Sequence, residues 1–323
     1  MELRHIIAPI QGYMDQFEDD FRAMFRSNVE VIDRIADHMI RTKGKQLRPV
    51  LVLLSASAFG PPNINVIRTA AIVELIHTAT LVHDDVVDEA PLRRGAPSLN
   101  SLWDNHIAVL MGDFLLAKAL TLIVLLENET MMQKVALCTE RLSKGELLQA
   151  TKGFDIDITE EEYFEIIGDK TASLVASGCE VGAFFTSGST EIADRFQCYG
   201  ELLGQAFQIT DDLLDYVGDA TKTGKPTGHD IRGGTVTLPL IHSLQNAPDG
   251  KAAHIRQLMD GEWNPAAWEE ISSFSHTYGG IAYARNKAHA IAERAKSHLA
   301  DLTDTPVKQS LLAMVDYAVD RDR

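Results

Sequence analysis

Apolar residues along this chain recur with the 3.6-residue period of helices, not in strict alternation, and short breaks such as FGPPNIN and QNAPDG separate the helical stretches. No strand meander is legible. The pattern predicts an all-α fold, and the absence of a long linker or low-complexity run predicts a single domain over residues 1–323. One start signal is explicit: Thr159 followed by Glu162 forms a capping box ahead of YFEIIGDKTASLVASGCEVGAFF. The acidic run DIDITEEE is therefore read as a helix N-terminus. As a calcium loop it would need Gly where Glu160 stands.

Val66 to Asp88, VIRTAAIVELIHTATLVHDDVVD, is apolar on nearly every face, which predicts a helix through the interior. Glu74, His77, Leu81, Asp84 and Asp88 fall three, four, three and four apart, so they form one stripe on that helix. Buried carboxylates without partners are costly, and nothing within the helix supplies a cation. Ile107 to Glu127 is the most membrane-like segment, but Gly112, Asp113 and Lys118 interrupt it, so a buried helix is expected instead of a span.

Composition narrows the function. The 323 residues carry 30 Lys+Arg against 46 Asp+Glu, a net charge of -16, which disfavours nucleic acid and anionic membranes as partners. Stable membrane insertion is not expected. Cys138, Cys179 and Cys198 show neither CxxC spacing nor even number, and the charged start MELRHIIAPIQGYMDQFEDDF has no unbroken apolar core; both features suit a cytoplasmic protein.

A second acidic motif gives the carboxylates a purpose. ITDDLLDYVGD places Asp211, Asp212 and Asp215 in the same D-D-x-x-D spacing as Asp84, Asp85 and Asp88. Hard Mg²⁺ prefers oxygen ligands and is usually shared between a few carboxylates and substrate phosphate oxygens. Two such motifs suit a diphosphate that gathers charge as it leaves. Short basic signals beside apolar segments fit the same chemistry: Lys45 and Arg48 in GKQLRP, Arg93 and Arg94 after the first motif, and Lys170-Thr171 in the capped helix. They argue for two anionic sites, one with metal and one without.

These residues resemble the trans-isoprenyl diphosphate synthases, also called polyprenyl synthetases. The resemblance runs from GKQLRP through ELIHTATLVHDDVVDEAPLRRG, MGDFLLAKAL, GDKTASL and FQITDDLLDYVGD to GKPTGHDI and TLPLI. It implies an isoprenoid synthase fold, long helices around a deep central cavity with the aspartate motifs facing each other at its mouth, and a homodimer. The implied cofactor is Mg²⁺, about three ions per active site. By the resemblance, Asp84 and Asp88 are metal ligands on one side and Asp211 on the other, with Asp212 and Asp215 in support and Asp85 orienting its neighbours. Lys45, Arg48, His77 and Arg94 match positions that hold isopentenyl diphosphate without metal. Arg93, Lys170, Thr171, Gln208 and Lys225 match those around an allylic diphosphate, farnesyl or geranylgeranyl diphosphate.

The implied reaction is ionisation of the allylic diphosphate, attack by the double bond of isopentenyl diphosphate, and loss of a proton to the departing pyrophosphate, in a cavity that excludes water. Product length follows cavity depth in such enzymes. The position five before the first Asp, a bulky aromatic in short-chain enzymes, is Ala79 here, followed by Thr80. The open path continues past Ile76 and Ile72, with Phe114, Leu115 or Leu116 as deeper floors, so a long-chain product such as octaprenyl diphosphate is expected over a farnesyl or geranylgeranyl one. Two departures stand out: Thr235 replaces a usual Lys, and Gln46 a frequent Arg. A terpene cyclase would carry a different second metal motif, and a non-catalytic subunit would lose one aspartate motif; this chain keeps both.

Overall fold

The computed structural model describes residues 2–25, 27–217, 228–261 and 264–320. Helices dominate, as the periodicity predicts: α1 (Gln11–Met24), α2 (Glu30–Arg41), α3 (Leu47–Ser57), α4 (Ile64–Val87), α5 (Asn105–Val124), α6 (Glu129–Lys152), α7 (Glu160–Ile167), α8 (Ser173–Ser187), α9 (Thr190–Val217), α10 (Leu238–Asn246) and α11 (Gly280–Ser297). Among the described residues the only strands are β1 (Leu92–Arg93) and β2 (Ala96–Pro97), an antiparallel hairpin. The chain forms two compact units. The first comprises Met1–Thr139, Leu174–Gln197 and Asp301–Ala313; the second comprises Glu140–Ser173, Cys198–Ala300 and Met314–Arg323.

In the first unit α4 is the core helix, as its apolar faces predict. Asn63 caps it, its side chain accepting from the N–H groups of Asn65 and Val66. Ile72, Leu75, Ile76 and Ala79 are buried, each large aliphatic contributing about 1.5–3 kcal/mol to stability. α3 and α5 pack on it. A Cβ on Gly112 of α5 would fall 2.2 Å from His83 Nε2 of α4, so the two helices meet at a residue with no side chain.

α5 departs from its expected burial. Ala108, Met111, Leu115 and Ile123 are buried, while Val109, Leu110, Leu120 and Val124 are 40–63% exposed. Within its unit the partners cover one side only, so the continuous apolar run is half core and half surface. Both α4 and α5 are long and apolar enough to cross a bilayer, but α4 is mostly buried in protein.

In the second unit the capping box at Thr159 is present in both directions: the Thr159 hydroxyl accepts from the Glu162 N–H, and the Glu162 carboxylate accepts from the Thr159 N–H. The helix that follows is not uniform. Between α7 and α8, Gly168–Ala172 forms a π-helical turn, wider than the sequence pattern implies. Two glycines seat it. A Cβ on Gly145 of α6 would lie 2.4 Å from the Lys170 backbone nitrogen, and one on Gly204 of α9 would lie 2.5 Å from the Ala172 Cα. Gly145→Ala should therefore destabilise the protein by about 1–3 kcal/mol, because overpacking against backbone outweighs the up to about 1 kcal/mol that Ala gains over Gly in a helix. Urea denaturation reads this directly; an unchanged or raised midpoint contradicts the close packing.

Candidate active site

Both aspartate motifs end a helix. Asp84 and Asp85 lie in the last turn of α4 with Asp88 as its C-cap, and Asp211, Asp212 and Asp215 occupy the last two turns of α9. No basic residue stands in either last turn. A helix C-terminus carries partial negative charge, so carboxylates there are in an unfavourable place unless a cation joins them.

The middle aspartate of each motif is the buried one. Asp85 is 4% exposed and accepts from Arg93 Nε at 2.8 Å, with Arg93 Nη2 at 2.6 Å. Asp212 is 6% exposed; the Tyr163 hydroxyl donates to its Oδ2 at 2.6 Å and Gln208 Nε2 to its Oδ1 at 2.8 Å. Burial pushes the Asp212 carboxyl up to about 7, against the pull of those two donors, and the charges of Asp211 and Asp215 push the same way as burial. The Tyr163 phenol is held well above its usual value by burial and by Asp212.

The outer aspartates differ. Asp84 is half-buried, while Asp88 and Asp211 are exposed. Asp215 is committed to backbone: its two carboxylate oxygens accept from the N–H groups of His229 and Asp230 at 2.9 and 3.0 Å. That anchors the chain where it re-enters the described residues.

Among the described residues no three His, Cys, Asp or Glu side chains form a metal cage. Asp84, Asp88 and Asp211 are nevertheless hard oxygen donors at helix ends that favour a cation, which fits Mg²⁺ completing its shell with water and substrate oxygens.

The allylic-site candidates of the second unit are linked. The Thr171 hydroxyl donates to Gln208 Oε1 at 2.8 Å, so the π-helical turn connects through Gln208 and Asp212 to Tyr163 in one hydrogen-bond chain. Lys170 Nζ is 2.6 Å from Glu146 Oε2. Next to it on the turn, Asp169 is paired with Arg141, which also grips Glu201 through two nitrogens. Lys225 lies outside the described residues. Tyr163, Glu146 and Arg141 escaped the sequence reading, although a tyrosine on a buried helix face signals a need for a polar partner.

In the first unit, GKQLRP leads into α3. Lys45 is exposed, Arg48 half-buried, and Gln46, the departure from the usual Arg, is buried with φ +52°. Arg94 and Gly95 are the central residues of the β1–β2 hairpin, at φ +54° and +76°, the signs of a type I′ turn. This backbone parts the two arginines: Arg93 reaches Asp85, while the Arg94 guanidinium lies over Gly44, where a Cβ would fall 2.5 Å from its Cζ. His77, on α4, is half-buried as a residue, and desolvation of its ring and the charges of Arg48, Arg94 and Arg93 hold it well below 6.5, as neutral imidazole. Ala79 and Ile76 are buried on α4 and Thr80 is half-buried, its hydroxyl donating to the His77 carbonyl at 2.8 Å. In the second unit Thr235 is half-buried, its N–H donating to the Asp230 carbonyl.

Residues 29–272 match the family model described as polyprenyl synthetase. The chain is 37% identical to the all-trans-nonaprenyl-diphosphate synthase (geranyl-diphosphate specific) of Rhodobacter capsulatus, over 98% of this chain and 97% of that protein. It is 34% identical to the octaprenyl diphosphate synthase of Escherichia coli (strain K12), covering 92% of each. Its fold is similar to the crystal structure of polyprenyl synthase from Caulobacter crescentus CB15 complexed with calcium and isoprenyl diphosphate, with TM-score 0.93, 32% identity, and coverage of 100% of this chain and 98% of that one.

Proposed function

The chain belongs to the polyprenyl synthetase family and is a prenyltransferase that condenses isoprenoid diphosphates; from that premise we propose that it extends an allylic diphosphate with isopentenyl diphosphate to a long-chain, all-trans product. The observation that carries the reading is the pair of D-D-x-x-D motifs, each at a helix C-terminus without a basic residue in its last turn.

Asp84 and Asp88 in the first unit, and Asp211 in the second, are the residues that would hold Mg²⁺, which supplies charge neutralisation to a leaving diphosphate when bound. Asp85 and Asp212 fix the motifs from behind, through Arg93 and through Tyr163 and Gln208. Lys170 meets an allylic diphosphate by exchanging its ion pair with Glu146 for phosphate oxygens, and Thr171 is held ready by Gln208. Arg93 and Lys225 belong to the same allylic-diphosphate set by the sequence resemblance alone. Lys45, Arg48 and Arg94 bind isopentenyl diphosphate without metal, and His77, neutral among them, offers an N–H without adding a further positive charge. The apolar helix carrying Ile76 and Ile72 keeps water from the reacting carbon.

Long-chain specificity is supported by the small Ala79, fully buried on α4, and by relatives named as nonaprenyl and octaprenyl synthases. A homodimer is supported by the exposed apolar side of α5, which a second copy would cover. Incubation with Mg²⁺, labelled isopentenyl diphosphate and farnesyl diphosphate, followed by sizing of the products, tests the reading. A ladder of linear polyprenyl diphosphates that vanishes with chelator is expected. Cyclised hydrocarbon, or no turnover with any allylic primer, would reject it.

A further inference from the structure

Glu74 has no part in the scheme above, yet it is a carboxylate set among the cations assigned to isopentenyl diphosphate. It is 7% exposed on α4, three residues before His77. The Thr78 hydroxyl donates to its backbone carbonyl at 2.7 Å, and among the described residues its carboxylate is in no ion pair. It lines a cavity of about 50 Å³ together with Lys43, Gln46, Thr78, Arg94 and Phe25. That volume holds roughly three or four waters and is far below the roughly 300 Å³ of an organic-ligand pocket. The cavity places Glu74 of α4 beside Arg94 of the hairpin and Lys43 of the loop before α3.

Resting on the synthase reading, we propose that Glu74 is a positioning residue: a buried counter-charge that gathers Arg48, Arg94 and Lys43 around the metal-free diphosphate site without touching substrate. These three come from separate elements, α3, the β1–β2 hairpin and the loop before α3, and each acts electrostatically on Glu74. Like charges brought together without an opposite charge spread apart, and among the described residues Arg94 has little else to hold it. Arg94 makes a long 3.4 Å contact to the Thr42 carbonyl and sits over Gly44, while Lys43 is paired with Glu18 at 2.5 Å. Burial raises the Glu74 carboxyl above its usual value, and the charges of Arg48, Arg94 and Lys43 offset part of that rise.

The test is Glu74→Gln, with Glu74→Asp beside it, read by steady-state kinetics and by calorimetric titration of isopentenyl diphosphate into metal-free protein. Glu74→Gln should raise KM and Kd for isopentenyl diphosphate about ten-fold, as expected for losing one member of a desolvated charge cluster, while KM for farnesyl diphosphate stays within about two-fold. Glu74→Asp, which keeps the charge, should recover most of the loss. If Glu74→Gln does not fold, the aspartate variant still reads the inference through a smaller rise confined to isopentenyl diphosphate. Unchanged or tighter isopentenyl diphosphate binding in Glu74→Gln, or equal losses for both substrates, overturns the proposal while leaving the synthase reading intact. Wild-type protein that neither binds isopentenyl diphosphate nor turns over overturns both.

Discussion

Asp84→Asn should lower kcat by about 10²–10³-fold, the cost of removing one charge-stabilising group from a transition state, and the folded protein should not suffer for it. Asp84 sits in the last turn of α4, a turn that contains no basic residue of its own, and a negative charge there opposes the helix dipole. Removing that charge in metal-free buffer should be neutral or stabilising by about 0.3–1 kcal/mol. Asp85→Asn should behave differently. It weakens the Arg93 pair on a carboxylate only 4% exposed, a charged hydrogen bond worth about 1.5–3 kcal/mol, so stability and activity should fall together. Thermal melts without metal beside product assays with Mg²⁺ separate the two variants. A destabilised Asp84→Asn that retains turnover would show that the outer aspartate is a structural residue, and the functional reading of the motif would go with it.

Ala79→Tyr should shorten the product while condensation continues. Ala79 is fully buried on α4, with Ile76 and Ile72 further toward its N-terminus on the same helix. If the growing tail runs past these residues, a tyrosine ring fills the path and chain growth stops early; turnover survives because the diphosphate groups bind at the other end of the substrate. The competing account is that Ala79 is small only because a neighbouring helix presses on it. The ring would then be overpacked, with a loss of about 1–3 kcal/mol and no change in product size. Product sizing together with a melting curve discriminates: shorter products in a stable protein support the open path, and unaltered products in a weakened protein refute it.

The helices, the capping box at Thr159 and both aspartate motifs were legible in the sequence because each leaves a local signature: a period, a spacing of three residues, a repeated acidic pattern. The π-helical turn was not, because Gly168–Ala172 continues the side-chain pattern of a helix while changing only which carbonyl each N–H reaches. Nor was the full division of labour within a motif. Asp84, Asp85 and Asp88 are chemically identical, and what separates them is whether Arg93 comes round to pair with one of them, a tertiary fact set by a hairpin eight residues on. Asp215 illustrates the same limit. Its spacing marks it as support for Asp211, while its hydrogen bonds from the N–H groups of His229 and Asp230 come from a later segment that no local pattern announces. The half-buried state of α5 also escaped, since hydrophobicity reports that a face wants cover and not what supplies it.

Gln46 and Arg94 both hold a left-handed backbone, a conformation that costs a side-chain-bearing residue roughly 1–2 kcal/mol and a glycine almost nothing. Selection for heat resistance alone would thus drift toward glycine at position 94, and the molecules it kept would melt later while holding isopentenyl diphosphate poorly. A library screened first for thermal survival and then for turnover should show that trade at this codon before most others.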